Sequence, residues 1–298
     1  MIQASSFIKK TTAEFDSTPV KSIRILHGGD VNQVYRVTTA TTDYVFRLNK
    51  PSYIEEFRKE WYCYKEVAKH GIPTPKLYKH GTTVEYAYEI IGYVAPKKSF
   101  DKIKVWEKLG EYARACSQIK LLPERATDTA EHAALHFCDK YLAYDIGEMT
   151  STDFLLNGKV YSSAQQQKIL GKLKQIQDIK FEFGLVHGDI NWGNFVVDKE
   201  NIVYLIDWGS ADIDLIPQLE ILLVYKLWIV NKRINQEQFN AFLKGIGGGT
   251  EFTDKEQIES LLLLYLMDKL RWSHDQKEHT AYKDYLWQFK KLLKILEL

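Results

Sequence analysis

Cysteine, excess charge of one sign and long apolar runs are all scarce in this sequence. Its 298 residues include three cysteines, Cys63, Cys116 and Cys138, which lie far apart and form no CxxC pair. This pattern argues against a disulfide framework and a zinc site, and it is typical of proteins in a reducing cytosol. No HExxH or GxSxG motif is present, which argues against a zinc protease and a serine hydrolase.

Neither charge nor hydropathy indicates a nucleic acid or a bilayer as partner. The 40 basic and 39 acidic residues give a formal net charge of +1, so electrostatics offers no reason to expect nucleic-acid binding. The longest apolar run, Leu261 to Met267, is too short to cross a bilayer. Residues 1–6 lack the apolar segment of a signal peptide. We therefore expect a cytoplasmic protein with no nucleic-acid or membrane partner.

The hydrophobic pattern changes near residue 92. Before it, short runs rich in β-branched and aromatic residues predict strands over 22–26, 33–39, 44–48, 76–80 and 85–91. A helical periodicity predicts one helix among them, over 53–70. After residue 92 the pattern is mainly helical, with helices predicted over 102–121, 132–148, 163–176 and from 217 onward. We predict an α+β fold with a β-rich N-lobe over 1–92 and a mainly helical C-lobe over 93–298.

Two acidic motifs carry the chemical information. The segment LVHGDINWGN, from Leu185 to Asn194, places Asp189 five residues before Asn194, and Asp207 follows thirteen residues later in the sequence IDWG. The spacing is typical of phosphoryl transfer, in which one carboxylate accepts the proton of the attacking hydroxyl. A second carboxylate and an amide oxygen then bind Mg²⁺. An isolated Asp is usually a turn residue, but the joint spacing argues against that interpretation.

HGDINWGN followed by IDWG resembles the signature of the aminoglycoside phosphotransferase and choline kinase superfamily. The resemblance implies a bilobal protein-kinase-like fold, ATP or GTP as phosphate donor, and Mg²⁺ as metal cofactor. It further implies that Asp189 is the catalytic base and that Asn194 and Asp207 are the metal ligands. The sequence departs from the family pattern at Glu220, where relatives commonly have Asp.

The N-lobe offers candidates for nucleotide binding. Gly28 and Gly29 stand where the family places its phosphate-covering hairpin, and backbone N–H groups of such a turn can cradle phosphate. Arg47 lies where kinases have their phosphate-contacting Lys, with Lys50 as the alternative. The alternatives without a role in binding are an ordinary β-turn for the glycines and a solvated edge-strand side chain for Arg47.

Three further candidates follow from the same resemblance. Glu60, on the predicted helix, is expected to pair with Arg47, and Glu56, one turn earlier, is the alternative. Glu89 and Ile91 lie where the lobes are expected to join, so their backbone groups are candidates for contacts to the nucleotide base. Buried strand residues would show the same pattern.

The acceptor is expected to be a small, hydroxyl-bearing cation. Asp153, Asp268 and Asp275 lie on candidate substrate helices, and carboxylates there could hold ammonium groups; Lys269 and Arg271 nearby leave open that these acids only line solvated faces. The family resemblance favours an aminoglycoside-type antibiotic, and hence antibiotic resistance. The alternatives are a metabolic kinase for choline, ethanolamine, a sugar or an amino acid, and a nucleotide-binding pseudokinase.

Overall fold

The computed structural model describes residues 2–26, 32–122, 129–177, 179–248 and 254–298. The chain forms two compact units. The first contains Met1–Phe100 and Trp192–Gly209, and the second contains Asp101–Asn191 and Ser210–Leu298. The lobe boundary at residue 92 stays a prediction.

The first unit is built on an antiparallel sheet. Its strands are β1 (Ser22–Ile25), β2 (Gln33–Thr38), β3 (Asp43–Asn49), β4 (Leu77–Thr82) and β5 (Ala87–Gly92), in the order β1-β2-β3-β5-β4. Each corresponds to a strand predicted from the sequence. The central position of β3 in this order places its residue Arg47 directly opposite Glu89 of β5.

Two helices complete the sheet layer of the first unit. The predicted helix is α2 (Ile54–Lys69), which buries an apolar stripe that includes Phe57, Tyr64 and Val67. Gly71, with φ of 78°, follows its end and supplies the left-handed conformation that commonly ends a helix. The sequence patterns did not predict α1 (Ile2–Ala13), which buries Ala4 and Ile8 in the core of the sheet.

Four short strands form two antiparallel pairs. In the second unit, β6 (Phe183–Val186) pairs with β9 (Asp212–Leu215), and in the first unit β7 (Phe195–Val197) pairs with β8 (Val203–Leu205). In the chain, strand β6 comes before Asp189 of the first acidic motif, and strand β9 follows Asp207 of the second. These motifs therefore lie on connections between short, buried strands.

Helices make up most of the second unit. They are α3 (Lys102–Cys116), α4 (Ala130–His136), α5 (Ala143–Glu148), α6 (Phe154–Asn157), α7 (Ser163–Ile176), α8 (Gln218–Ile229), α9 (Gln236–Ile246), α10 (Lys255–Asp275) and α11 (His279–Ile295). Helices α3 and α9 cross closely, because a Cβ at Gly110 would lie 2.1 Å from the carbonyl O of Phe242. None of the described helices combines the length and the apolar character needed to cross a membrane.

Candidate active site

Arg47 is the centre of a charged cluster inside the first unit. Its Nη1 donates to Glu60 Oε2 on α2 and, at 3.1 Å, to Glu89 Oε1 on β5. Its Nη2 donates to Asp207 Oδ1 at 2.8 Å. The predicted pair between Arg47 and Glu60 is therefore present, and two further carboxylates share the same guanidinium.

Burial sets the protonation of this cluster. The side chains of Glu60 and Glu89 are 2% and 0% exposed. Burial raises the pKa of Glu89 to about 8, and the Glu60 carboxylate adds to the effect. Burial opposes the charge on Arg47, but the carboxylates outweigh it and raise the pKa of the guanidinium. The surroundings thus favour the charged form of Arg47 and the protonated form of Glu89.

The two alternatives from the sequence do not join the cluster. Lys50 is exposed just after β3. Glu56 forms an ion pair with Lys59 at 3.1 Å, and Lys59 also donates to the carbonyl O of Gly209 at 2.6 Å. The geometry favours Arg47 and Glu60 over Lys50 and Glu56 as the buried pair.

Asp207 follows β8 in an unusual backbone conformation. Its φ is 65°, in the left-handed region that residues other than glycine rarely adopt. Its backbone N–H donates to Tyr64 Oη at 3.3 Å, and its side chain is 50% exposed. Such conformations cost about 1–3 kcal/mol and are concentrated at functional sites. The result is a half-exposed carboxylate next to Arg47.

Asn194 and Asp207 lie at the two ends of the β7–β8 hairpin. The carbonyl O of Asn194 accepts a hydrogen bond from the N–H of Ile206 at 2.9 Å. Mg²⁺ usually takes one or two carboxylate or amide oxygens from a protein and completes its shell with water and phosphate oxygens. One Asp and one Asn fit that requirement. Within the described ranges, no group of three or more His, Cys, Asp or Glu side chains forms a ready-made metal site.

Four further residues were predicted to bind the nucleotide: Gly28, Gly29, Glu89 and Ile91. Gly28 and Gly29 lie outside the described residues, so their contact to phosphate stays a prediction. Glu89 and Ile91 lie on β5, which pairs with β3 on one side and β4 on the other. Pairing on both sides occupies backbone N–H and C=O groups, which argues against base recognition by the backbone of these two residues. The side chain of Glu89 has another partner, Arg47.

In the second unit, one buried glutamate holds the loop after β6. Glu220, on α8, is 1% exposed, and its Oε1 accepts hydrogen bonds from the N–H of His187 and, at 3.0 Å, from the N–H of Gly188. Burial raises the pKa of Glu220 to about 7, against the effect of these two bonds. Gly188 has a φ of 76°, and a Cβ there would lie 2.6 Å from the carbonyl O of Ser210. Only glycine fits this turn.

Asp189 is exposed in the same loop. Asn191 Nδ2 donates to the Oδ1 of Asp189 at 2.8 Å. The backbone N–H of Asp189 donates to His187 Nδ1 at 3.3 Å. Burial lowers the pKa of Lys226, on α8, to about 8, and the negative charge of Asp189 acts against that shift. The carboxylate is thus oriented and accessible, as a general base requires.

A cavity of about 980 Å³ lies in the second unit and is bordered by Gly188. Its lining combines carboxylates with aromatic rings: Asp212, Asp214, Asp268, Asp275, Phe137, Tyr141, Tyr144, Tyr265, Trp272 and Tyr285. Lys269 and Arg271 also line it. Burial raises the pKa of Asp214 to about 6 and also raises that of Asp268. Asp268 and Asp275 are two of the three residues predicted to bind the acceptor molecule, and both border this cavity.

Asp153, the third residue predicted to bind the acceptor molecule, is absent from that lining, which argues against a direct contact with the acceptor. It is 2% exposed, its Oδ1 caps α6 by accepting from Leu155 N–H at 2.9 Å, and Tyr161 donates to its Oδ2. Arg271 donates to both of its oxygens, at 3.1 and 3.0 Å, and also to Asp145 at 2.9 Å. All of these contacts are structural, so Asp153 positions Arg271 and has no oxygen exposed to a ligand.

A π-helical stretch borders the cavity where the sequence predicted regular helix. Residues Phe137–Leu142 form it between α4 and α5, so the predicted helix 132–148 is interrupted. Phe137 and Tyr141 of this stretch both line the cavity. π-Helical turns are rare and occur frequently at functional sites, which supports a role for this cavity in ligand binding.

The model of one protein family matches most of this chain. It is the family described as the phosphotransferase enzyme family (APH), and the match covers residues 22–218, which include Arg47, Asp189 and Asp207. This chain belongs to that family. The resemblance based on HGDINWGN and IDWG is thereby confirmed.

Solved structures place the phosphotransferase among kinase-like folds. It is similar to aminoglycoside phosphotransferase APH(4)-Ia in ternary complex with AMP-PNP and hygromycin B, with 14% identity and a TM-score of 0.65 over 96% of this chain and 97% of that one. It is also similar to choline kinase LicA from Streptococcus pneumoniae, with 16% identity and a TM-score of 0.63 over 98% and 99%. At such identities the likeness shows the fold, and it confirms the predicted α+β class.

One curated protein shows a shorter similarity to the phosphotransferase. It is named "Probable ketoamine kinase", from Vibrio cholerae serotype O1, and is 26% identical over 83 residues, or 28% of this chain. The match spans 29% of the length of that relative.

The sequence did not predict the contacts of two site residues of the phosphotransferase, Glu89 and Glu220. Glu89 is an acid within the otherwise apolar strand AYEIIG, and that anomaly was the available signal. Glu220 stands where the family commonly has Asp, and the longer side chain still reaches the N–H groups of His187 and Gly188.

Proposed function

We propose that this phosphotransferase transfers the γ-phosphate of ATP or GTP to a hydroxyl of a small molecule, with Asp189 as catalytic base. Support comes from the orientation of Asp189, whose carboxylate accepts from Asn191 at 2.8 Å and is exposed. Its loop is fixed from behind by Glu220. A carboxylate within reach of an attacking hydroxyl can accept its proton. All three motif residues, Asp189, Asn194 and Asp207, are present, which argues against a pseudokinase.

The first unit would bind the nucleotide. The charged guanidinium of Arg47 donates through Nη2 to the half-exposed Asp207. A guanidinium can bind two phosphate oxygens at once through two parallel hydrogen bonds. Asp207 and Asn194 would hold Mg²⁺, which supplies neutralisation of the phosphate charge when bound. Arg47 would then exchange its contact with Asp207 for phosphate oxygens.

We propose further that the acceptor is an aminated, multi-ring molecule of the aminoglycoside type, which would make the enzyme an antibiotic-resistance kinase. The cavity carries this proposal, because its volume of about 980 Å³ lies at the large end of ligand pockets. Its four aspartates suit ammonium groups, and its rings can stack on sugar faces or face cations.

A second candidate is a metabolic kinase for an aminated sugar. The similarity to a ketoamine kinase supports it, because a ketoamine also combines an amine with sugar hydroxyls. Both candidates share the cationic, hydroxyl-bearing character of the acceptor. They differ in size.

An ADP-release screen separates these candidates. The panel would contain aminoglycosides, hygromycin-like antibiotics, ketoamines, choline, ethanolamine, methylthioribose and homoserine. Each aminated hit would be compared with its neutral deamino analogue. Turnover restricted to ketoamines or amino alcohols would favour the metabolic kinase. A preference for neutral or anionic acceptors would exclude cationic acceptors as the substrate class. Absence of turnover with every acceptor would favour a nucleotide-binding pseudokinase.

A further inference from the structure

Glu89 is the member of the Arg47 cluster that the proposed mechanism leaves unused. It is fully buried, lies directly opposite Arg47 in the β3–β5 ladder, and its Oε1 accepts from Arg47 Nη1 at 3.1 Å. Its other oxygen, Oε2, has no hydrogen-bond partner among the described residues. A buried acid in an apolar strand usually contributes less stability than an apolar residue of similar size. Its presence here therefore calls for a functional explanation.

The hydrogen-bond geometry shows what Glu89 does to Arg47. Nη1 of a guanidinium has two hydrogens, and here one bonds to Glu60 and the other to Glu89. Two acceptors from two different elements, α2 and β5, fix the plane of the guanidinium. Nη2 is thereby directed at Asp207. Without Glu89, Nη1 would keep Glu60 as its one acceptor, and the guanidinium plane would be less firmly fixed when Nη2 leaves Asp207 for phosphate.

The charge balance shows why Glu89 must be able to hold a proton. Three ionised carboxylates around Arg47 would give the cluster a net charge of about −2, which would repel phosphate. Burial raises the pKa of Glu60 too, but Arg47 and then Lys59 act against that shift, and Lys59 gives Glu60 a second cation. Burial, and then the Glu60 carboxylate, raise the pKa of Glu89 to about 8.

Three other titratable groups lie near Glu89. On α2, burial raises the pKa of Tyr64 well above its ordinary value. On β4, His80 lies opposite Glu89 in the ladder, and burial lowers its pKa. Asp207 is the remaining acid of the cluster, bound to Nη2 of Arg47. Of the two buried acids of this cluster, Glu60 has Lys59 as a second cation, so we assign the change of charge to Glu89.

We infer that Glu89 is a positioning residue for nucleotide binding, which aims Arg47 at the phosphates while protonated and cancels the charge of Arg47 once ionised. The inference rests on the proposed function of the first unit. Phosphate bound at Arg47 favours the protonated form of Glu89, so binding takes up a proton and affinity is lost as the pH rises through the pKa of the free protein.

Calorimetric titration with Mg²⁺-ADP tests this inference, because the phosphate groups of ADP ionise near pH 6 and stay constant above neutrality. The wild-type Kd should rise about tenfold or more between about pH 7.5 and 9.5, since each pH unit above the pKa of one linked group costs up to about tenfold in affinity. In Glu89→Gln, which keeps the acceptor but cannot ionise, the same ratio should stay below about twofold. Glu85→Gln, an exposed acid in the preceding turn, is the matched control and should keep the wild-type ratio.

A second variant separates positioning from charge. Glu89→Met removes the acceptor as well as the acid, so its Kd should be several-fold above that of Glu89→Gln at both pH values, without a pH-dependent rise. Thermal unfolding confirms that each variant is folded. A wild-type ratio near one, or a Glu89→Gln ratio equal to the wild-type ratio, would overturn the inference alone. Absence of nucleotide binding by the wild type at every pH would overturn the proposed function and the inference with it.

Discussion

The carboxylate of Glu220 lies 3.0 Å from the backbone nitrogen of Gly188, the residue immediately before Asp189. The same oxygen also accepts from the N–H of His187. Glu220 therefore fixes, from α8, the backbone that carries the proposed base. This relationship connects a departure from the family pattern to the chemistry of the loop.

Glu220→Ala should lower kcat while leaving nucleotide affinity nearly unchanged. The substitution removes the shared acceptor of two backbone N–H groups, and an N–H group left unsatisfied in the interior costs about 1–3 kcal/mol. Relaxation of the loop by that amount should reduce kcat about tenfold or more. Glu220→Gln keeps an acceptor oxygen and should retain most of the activity. An alanine variant with wild-type kcat would show that the loop does not depend on Glu220.

Arg47→Ala should raise the nucleotide KM by about 10- to 100-fold, because a hydrogen bond to a charged partner contributes about 1.5–3 kcal/mol. Glu60→Ala should produce a defect in the same direction, since it removes the anchor of the guanidinium on α2. The double variant should be less impaired than the sum of the single effects, as expected for residues in contact. Additive effects in steady-state kinetics would contradict a functional pair.

Asp207→Ala should abolish the metal dependence of nucleotide binding. The wild type should bind a non-hydrolysable ATP analogue more tightly with Mg²⁺ than without it, because Asp207 is the proposed anionic metal ligand. The substitution also frees Nη2 of Arg47, so affinity for the metal-free analogue should not fall. Calorimetry with and without Mg²⁺ measures both quantities. An unchanged gain from Mg²⁺ would remove Asp207 from the metal site.

Asp268→Asn and Asp153→Asn should have opposite signatures. Asp268 lines the cavity, so loss of its charge should raise the KM of a cationic acceptor several-fold with little change in melting temperature. Asp153 is buried against Arg271, and breaking a buried ion pair costs about 3–5 kcal/mol, so its substitution should mainly lower the melting temperature. Acceptor kinetics and thermal unfolding of both variants decide between these roles.

The parts of the site that depend on local pattern could be predicted from the sequence. The contact that the family resemblance predicted between Arg47 and Glu60 is present. The roles of Asp189, Asn194 and Asp207, which the two motifs indicated, stay predictions. The five strands of the sheet also follow from short β-branched and aromatic runs.

Contacts between distant segments could not be predicted in this way. The role of Glu89 depends on the register between β3 and β5, and the burial of Asp153 depends on Arg271, which lies 118 residues away in the chain. The π-helical stretch that brings Tyr141 to the cavity has no signature in the hydrophobic periodicity. These features are set by tertiary packing rather than by local sequence.

The central claim, that Asp189 is the base of a phosphotransfer reaction, is tested most directly by comparing Asp189→Asn with the wild type. The substitution is nearly isosteric but cannot accept a proton, so kcat should fall by roughly 10²–10⁴-fold, as for other losses of general-base assistance. The Kd for Mg²⁺-nucleotide should stay within about threefold of the wild type, since a loss of this kind affects only the chemical step. The measurement pairs single-turnover phosphate transfer to the best acceptor with nucleotide titration of the same preparations. Wild-type turnover in the Asn variant would contradict the account.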